Sequence, residues 1–154
     1  MLTKSTEYAI RALVYIQLQN WENKRPGVIE IAREIEAPEA FSGKILQILT
    51  KHKLLDSMKG RGGGFFFPGN TSNLTLYEVI LIIEGDTCFH KCGFGLKNCS
   101  NVNPCPLHDQ YVVVREGFYD IVRDETIGSM AQMIKDGHAV LKRTYSSDNI
   151  NKLH

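Results

Sequence analysis

The stretch of sequence that decides the fold is Phe41-Ser-Gly-Lys-Ile-Leu-Gln-Ile-Leu49, followed closely by Lys59-Gly-Arg-Gly-Gly-Gly-Phe65. The first run predicts a helix over 39–52, because Phe41, Ile45, Ile48 and Leu49 recur at helical spacing. A shorter helix is predicted at 28–35, and the break at Ala37-Pro38 separates the two. Two short helices joined by a tight break, the second polar on its outer face, indicate a helix-turn-helix.

The glycine-rich run predicts a β-hairpin directly after the second of these helices. Two short apolar runs, Leu54-Leu55 and Phe65-Phe-Phe67, flank the glycines, which is the pattern of two strands and a turn. A phosphate-binding loop is disfavoured, because no Gly-Lys-Ser/Thr follows the glycines and no helix begins there. A hairpin in this position is a wing, so the predicted fold class is mainly α with a small β-hairpin.

Amphipathic helices are predicted on both sides of this unit. One covers 4–20, and another begins at the capping box Thr75-Leu-Tyr-Glu78 and ends at Gly85. A long helix is predicted from 107 to 124 and a short one from 127 to 136. The predicted order is a winged helix-turn-helix domain at 1–85, a cysteine-rich ligand loop at 86–106, a dimerisation helix region at 107–143 and a flexible polar tail at 144–154.

The long helix carries a seam that predicts a partner subunit. Tyr111, Val114, Phe118 and Ile121 follow one another at spacings of three, four and three residues, which is the repeat of a coiled coil. A compact winged helix has little free surface to cover such a seam. We therefore expect a second copy of the chain to pack on it.

Composition and charge describe a soluble globular protein. The chain has 154 residues, of which 43% are hydrophobic and 23% charged, and its net charge is +1. No apolar stretch is long enough for a membrane span or placed as a signal peptide, so the sequence predicts a cytoplasmic protein with no membrane partner. Clustered cysteines in that reducing compartment are ligands or redox-active thiols more often than disulfides.

Basic residues concentrate on the predicted recognition helix and wing. Between residues 40 and 67 the only acidic residue is Asp56, and a local basic surface of this kind suits DNA phosphates. Side chains on the outer face of the recognition helix are expected to reach base edges. Side chains at the wing tip are expected to contact the phosphates or the minor groove. The residues predicted to contact a double-stranded DNA operator are Ser42, Lys44, Gln47, Lys51, Lys59 and Arg61.

All four cysteines lie between Cys88 and His108, in a run dense in glycine, asparagine and proline. No helix or strand is predicted there, and a loop this long inside a compact domain is usually functional. Residue chemistry leaves three interpretations open: an iron–sulfur cluster, a closed tetrahedral zinc site, or a thiol switch in which Cys88 or Cys92 forms a disulfide. The cysteines are spaced more widely than the short ligand pairs of most zinc sites.

The sequence predicts that the chain is not an enzyme. No nucleophile and base are arranged together apart from the cysteines themselves. A small redox or metal-carrying protein built on the cysteine loop is the rival from another functional class, and salt-sensitive binding to duplex DNA distinguishes the two.

The helix, wing and opening segments together resemble one bacterial family. The runs that carry the resemblance are Phe41 to Leu49, Leu54-Leu55, Lys59 to Phe65, and Leu2-Thr-Lys-Ser-Thr-Glu-Tyr-Ala-Ile-Arg-Ala-Leu13. They are similar to the Rrf2 family of winged-helix transcriptional regulators, over residues 1 to about 125. The resemblance implies a homodimer held by the long helix, and operator binding controlled by an iron–sulfur cluster that responds to iron supply, oxidants or nitric oxide.

The resemblance also implies a ligand set in the cysteine loop. Cys92, Cys99, Cys105 and His108 match, in order, the ligands of the family's cluster regulator, which favours a [2Fe-2S] over a [4Fe-4S] cluster and leaves zinc as the alternative. Cys88, His90 and Glu7 are further candidate ligands, the last from a partner subunit. The gap between Cys92 and Cys99 is one residue longer than in that regulator. Gly43 replaces its acidic residue in the recognition helix, so its operator preference is not carried over.

Overall fold

The computed structural model of the protein describes residues 1–69 and 73–142, and the tail predicted at 144–154 lies outside this part of the chain. Within it, helices and two short strands follow one another in the predicted order. Their bounds are α1 Lys4–Trp21, α2 Val28–Glu34, α3 Glu39–Lys51, β1 Asp56–Met58, β2 Gly64–Phe66, α4 Leu76–Ile83, α5 Thr87–His90, α6 His108–Asp124 and α7 Ile127–Lys135.

Side-chain caps fix the starts of three helices. Thr3 Oγ1 accepts a hydrogen bond from the Thr6 amide at the start of α1. The predicted capping box at α4 is confirmed: Thr75 accepts from the Glu78 amide, and the Glu78 carboxylate accepts from the Thr75 amide. Thr126 forms a second capping box, which the sequence analysis missed, at α7.

The wing is an antiparallel hairpin of β1 and β2, paired from Asp56 with Phe66 to Met58 with Gly64. Its turn requires glycine, because a Cβ on Gly63 would fall 2.1 Å from the Met58 carbonyl oxygen. The predicted hairpin is therefore confirmed, and the architecture is mainly α with one small two-stranded sheet.

One hydrophobic core joins the winged helix to the C-terminal helices. α1 lies at its centre and packs against α3, α4 and α7, and α6 packs against α4. Side chains from every one of these helices are almost fully buried: Leu13, Ile16, Leu46, Leu49, Val79, Ile80, Val122, Ile127 and Ala131. None of the helices in the described part of the chain is both long and apolar enough to cross a membrane.

One sequence prediction is wrong in this part of the fold. Residues 87–90 form the one-turn helix α5 inside the segment predicted to contain no helix. The seam on α6 is also split, because Val114 and Ile121 are 53% and 59% exposed, whereas Tyr111 and Phe118 are half-buried. Two of the four seam residues are thus partly covered by the chain itself, and packing of the seam on a second copy stays a prediction.

Candidate metal centre and nucleic-acid interface

Three of the four cysteine sulfurs meet at one end of α6. The Sγ atoms of Cys92, Cys99 and Cys105 all lie within 4.8 Å of one another. Those of Cys92 and Cys105 are 3.5 Å apart, and both residues are buried. Three soft sulfur donors at this separation form a group suited to binding a metal ion or cluster.

His108 lies beside the three-cysteine group and contacts one of its sulfurs. It is the first residue of α6, and its Nδ1 lies 3.1 Å from Cys99 Sγ. Its other ring nitrogen, Nε2, lies 2.8 Å from Asn101 Oδ1, the kind of outer contact that orients a ligating histidine. Asn101 was missed by the sequence analysis, since asparagine in a turn-rich loop gives no signal for such a role.

The segment leading into Cys92 is held along α6 by side-chain contacts. Phe89 of α5 is buried, and its ring stacks on that of Phe118 with centroids 5.8 Å apart. One turn earlier on α6, Arg115 Nη1 lies 3.5 and 3.4 Å from the backbone carbonyl oxygens of His90 and Lys91. These contacts fix the backbone immediately before Cys92, the first cysteine of the group.

Gly93, the residue after Cys92, also packs against α6. A Cβ at Gly93 would lie 2.5 Å from the ring of Tyr111, so the loop backbone rests directly against that ring. Tyr111, Arg115 and Phe118 are spaced four and three residues apart and share the inner face of α6. Sequence analysis assigned Tyr111 and Phe118 to a partner-facing seam and gave Arg115 no role.

Hydrogen bonds to sulfur set the ionisation of the buried thiols. Burial opposes ionisation of Cys92, but the backbone amides of Leu96 and Phe94 and the neighbouring thiols lower its pKa to about 7. Burial raises the pKa of Cys105, even though the Leu107 amide donates to its sulfur. The site therefore favours one thiolate, at Cys92, near neutral pH.

Cys88 is not part of the three-cysteine group. It is half-buried against the core, and its pKa is raised by burial and by the nearby Glu84 carboxylate. Glu84 also accepts hydrogen bonds from the Thr3 amide at 3.0 Å and from Thr6 Oγ1 at 2.5 Å. Cys88 and Glu84 thus join the start of the ligand loop to the N-terminus of α1.

The other two candidate ligands lie outside the three-cysteine group as well. Glu7 is on α1, where it forms an ion pair with Lys4 at 2.8 Å. His90 lines the small cavity next to the cysteines, but its Nε2 faces Asp86 at 3.5 Å.

Most of the predicted DNA-contacting residues lie on the surface. Lys44, Gln47 and Lys51 are exposed on α3, and Lys59 and Arg61 are exposed on the wing turn. The outward orientation predicted for Ser42 is wrong, since this residue is 1% exposed and its Oγ donates to the Pro38 carbonyl oxygen at 3.0 Å.

The burial of Ser42 follows from the packing of α3. The buried stripe of this helix is Ser42, Ile45, Leu46 and Leu49, whereas Ile48, which the sequence analysis placed on the inner face, is 37% exposed. The hydroxyl bond to a backbone carbonyl satisfies Ser42 inside the core.

Comparison with known proteins agrees with this architecture. The model of the Rrf2 family, described as iron-dependent transcriptional regulators, matches residues 2–133. Protein aau3 of Rhizobium meliloti (strain 1021) is 32% identical over 132 residues, which cover 85% of this chain and 84% of that protein.

Two solved structures share the fold at low sequence identity. CymR (YrzC), the global cysteine regulator of B. subtilis, superposes with a TM-score of 0.69 at 14% identity and covers 86% of this chain and 96% of its own. IscR of T. potens superposes with a TM-score of 0.68 at 16% identity and covers 91% and 92%. The family match over most of the chain, together with the winged-helix fold, establishes that this protein belongs to the Rrf2 family of DNA-binding transcriptional regulators.

Proposed function

We propose that this chain is a homodimeric transcriptional regulator whose binding to an operator is controlled by an iron–sulfur cluster held by Cys92, Cys99, Cys105 and His108. The observation that carries the proposal is the convergence of three cysteine sulfurs within 4.8 Å, with His108 Nδ1 3.1 Å from one of them. Thiolates and histidine are the protein ligands of such clusters. The family's description as iron-dependent supports the choice of iron.

The donors fall into two pairs, which supports a [2Fe-2S] cluster. Cys92 and Cys105 have sulfurs 3.5 Å apart, and Cys99 and His108 approach to 3.1 Å. Each iron of a [2Fe-2S] cluster takes two protein ligands. In such a cluster Cys92 and Cys105 would bind one iron, and Cys99 and His108 the other.

Two alternatives use the same side chains. In a tetrahedral zinc site with Zn–S bonds of about 2.3 Å, neighbouring sulfurs lie about 3.8 Å apart, close to the separation of Cys92 and Cys105. A thiol switch would join these two cysteines rather than Cys88, because their sulfurs already touch and Cys92 has the lowered pKa of a reactive thiol.

Ligation would connect the exposed part of the loop to α6. When bound, a cluster supplies a link between the ligands that redox change or oxidants can break. Cys105 and His108 mark the start of α6, Cys92 is fixed on the inner face of the same helix, and Cys99 is the donor from the exposed part of the loop. A change in the order of the loop would thereby change the contacts that hold α6 in place.

A second copy of the chain would pack on the outer face of α6. Val113, Val114 and Ile121 are more than half exposed there, and exposed apolar side chains that fall together on one helix are typical of subunit contacts. In such a dimer a shift of α6 changes the separation of the two α3 helices. They must lie about one turn of DNA, ~34 Å, apart to read two half-sites.

The first experiment is an ultraviolet–visible spectrum with iron, sulfide and zinc analysis on protein purified without oxygen. Coloured protein with matching iron and sulfide supports the cluster, and Cys99→Ala should then lose the colour while Cys88→Ser keeps it. One zinc per chain, or no metal after anaerobic reconstitution, would contradict the cluster and favour the zinc or thiol alternative. Full colour and unchanged operator binding in Cys99→Ala would contradict the mechanism.

A further inference from the structure

We propose that Arg25, in the connection between α1 and α2, contacts a phosphate of the DNA backbone beside the wing. The inference rests on the proposed DNA-binding function and extends the predicted contact surface to a segment that the sequence analysis left without a role. Three observations support it: the packing of the connection, the fixed position of the guanidinium and the local charge.

The connection is joined to the wing by backbone and side-chain hydrogen bonds. The Phe65 amide of β2 donates to the Pro26 carbonyl oxygen at 2.9 Å. Asn20 bridges the two segments, since its Nδ2 donates to the Lys24 carbonyl oxygen at 2.9 Å and its Oδ1 accepts from the Phe67 amide at 3.0 Å. Arg25 is thus carried on the same rigid unit as the wing.

Glycine in β2 permits this close approach. A Cβ on Gly64 would fall 2.1 Å from the Arg25 carbonyl oxygen, and Gly64 has a φ of +147°. Part of the glycine run that predicts the wing is therefore needed for packing the connection against β2, as well as for turning the hairpin.

The Arg25 guanidinium is held in one position on the wing surface. Its Cζ lies 4.6 Å from the centroid of the Phe66 ring, and its Nη1 lies 3.0 Å from Met58 Sδ. Neither contact neutralises the charge, and no other residue in the described part of the chain accepts a hydrogen bond from the Arg25 guanidinium. A planar, pre-organised guanidinium is the side chain best suited to phosphate recognition, because little rotamer freedom is lost on binding.

The charge around this position favours a polyanion. Among the described residues no carboxylate lies within 4 Å of the basic groups of Arg25, Lys59 or Arg61, whereas Lys24 pairs with Glu22 at 2.9 Å. An open groove of about 460 Å³ separates the connection from the wing turn, and both Arg25 and Gly62 line it. A phosphate lying in this groove would meet the positive charge of Arg25.

The test is the salt dependence of binding to a mixed-sequence DNA duplex, measured by fluorescence anisotropy on the full chain. Each phosphate contact contributes about 0.9 to the slope of log Kd against log salt concentration. Arg25→Gln should lower the slope by about that amount. The matched control is Arg123→Gln, which removes an arginine at the end of α6 that is paired with Asp124; its slope should match the wild type.

Arg25→Lys separates the electrostatic role from a structural one. It keeps the charge and loses the planar stack, so it should retain the wild-type slope. A wild-type slope in Arg25→Gln, or the same loss in Arg25→Lys as in Arg25→Gln, would overturn the proposal while leaving DNA binding intact. Absence of salt-sensitive duplex binding by the wild-type chain would overturn the proposed function itself.

Discussion

The winged helix and the cysteine loop differ in what holds them together. In the winged helix, apolar side chains such as Leu13, Leu46 and Ile80 are no more than 1% exposed and pack across three helices. In the loop, every residue from 93 to 104 is exposed except the half-buried Cys99. Phe94 and Val102 are 56% and 95% exposed, so no apolar packing orders this segment.

The winged helix and the cysteine loop are therefore ordered by different interactions. Apolar burial stabilises the winged helix at about 25 cal/mol per Å² without any ligand. Within the described residues, the exposed part of the loop forms only local hydrogen bonds, so we expect a ligand bound to its sulfur donors to increase its order. Helix α6 contacts both regions, with Val122 in the core and Tyr111 against the loop.

The largest effect should come from removing a ligand of the loop. Cys105→Ser is expected to abolish stoichiometric binding of Co²⁺, a spectroscopic probe of thiolate sites, because a buried donor of the three-cysteine group is lost. Urea unfolding of the metal-free protein should change little. Cys88→Ser is the matched control and should bind Co²⁺ as the wild type does; equal loss in both variants would show that Cys88 belongs to the site.

The second prediction concerns the hydrophobic core of the winged helix. Leu46→Ala should lower the free energy of unfolding by about 2–5 kcal/mol, since Leu46 is 1% exposed and truncation leaves a cavity. Urea denaturation followed by circular dichroism measures the loss. Ile29, which is 67% exposed on α2, is the control, and Ile29→Ala should change the free energy by less than about 0.5 kcal/mol. A small effect of Leu46→Ala would contradict the assignment of the core.

Gly93→Ala tests the contact between the two regions. The added Cβ would meet the Tyr111 ring at 2.5 Å and displace the backbone next to Cys92. Affinity for Co²⁺ should fall by about tenfold, the scale of a change just outside a ligand shell. Gly117→Ala, in open space on α6, is the control. The double variant Gly93→Ala/Tyr111→Ala should recover affinity; failure to recover would place the defect elsewhere.

The smallest effect concerns the link between the loop and α1. Burial alone would raise the pKa of Glu84, but hydrogen bonds from Thr3 and Thr6 lower it below the ordinary 4.5. Its contribution to stability is therefore present above the unfolded-state pKa and is lost as the pH falls through the folded-state pKa. Glu84→Gln should cost about 1 kcal/mol at neutral pH, after allowance for solvent screening.

The pH dependence of the stability difference provides the control for Glu84→Gln. The difference between Glu84→Gln and the wild type should shrink as the pH falls below the unfolded-state pKa of Glu84, and disappear below its lowered folded-state pKa. Glu116, an exposed carboxylate on α6, should show no comparable loss when changed to glutamine. A destabilisation of Glu84→Gln that is the same at every pH would indicate lost packing rather than lost charge.

Much of the fold followed from local signals. Helical spacing of apolar residues, the Thr75 capping box and the glycine-rich turn each depend on residues only a few positions apart, and the structure agrees at those elements. The helix at 87–90 was missed because a single turn has too few residues to show a period. Ser42 was misplaced because polarity was taken to mean exposure, and a backbone carbonyl satisfies its hydroxyl instead.

The sequence by itself determined the family, the order of the elements, and the cysteines and histidine that could bind a metal, because each is expressed in residue type and short-range spacing. Tertiary structure decided that Cys88 lies outside the three-cysteine group. It also placed Tyr111 against Gly93, and Arg25 against the wing. These contacts join residues far apart in the chain, and only the packing of helices around the shared core brings them together.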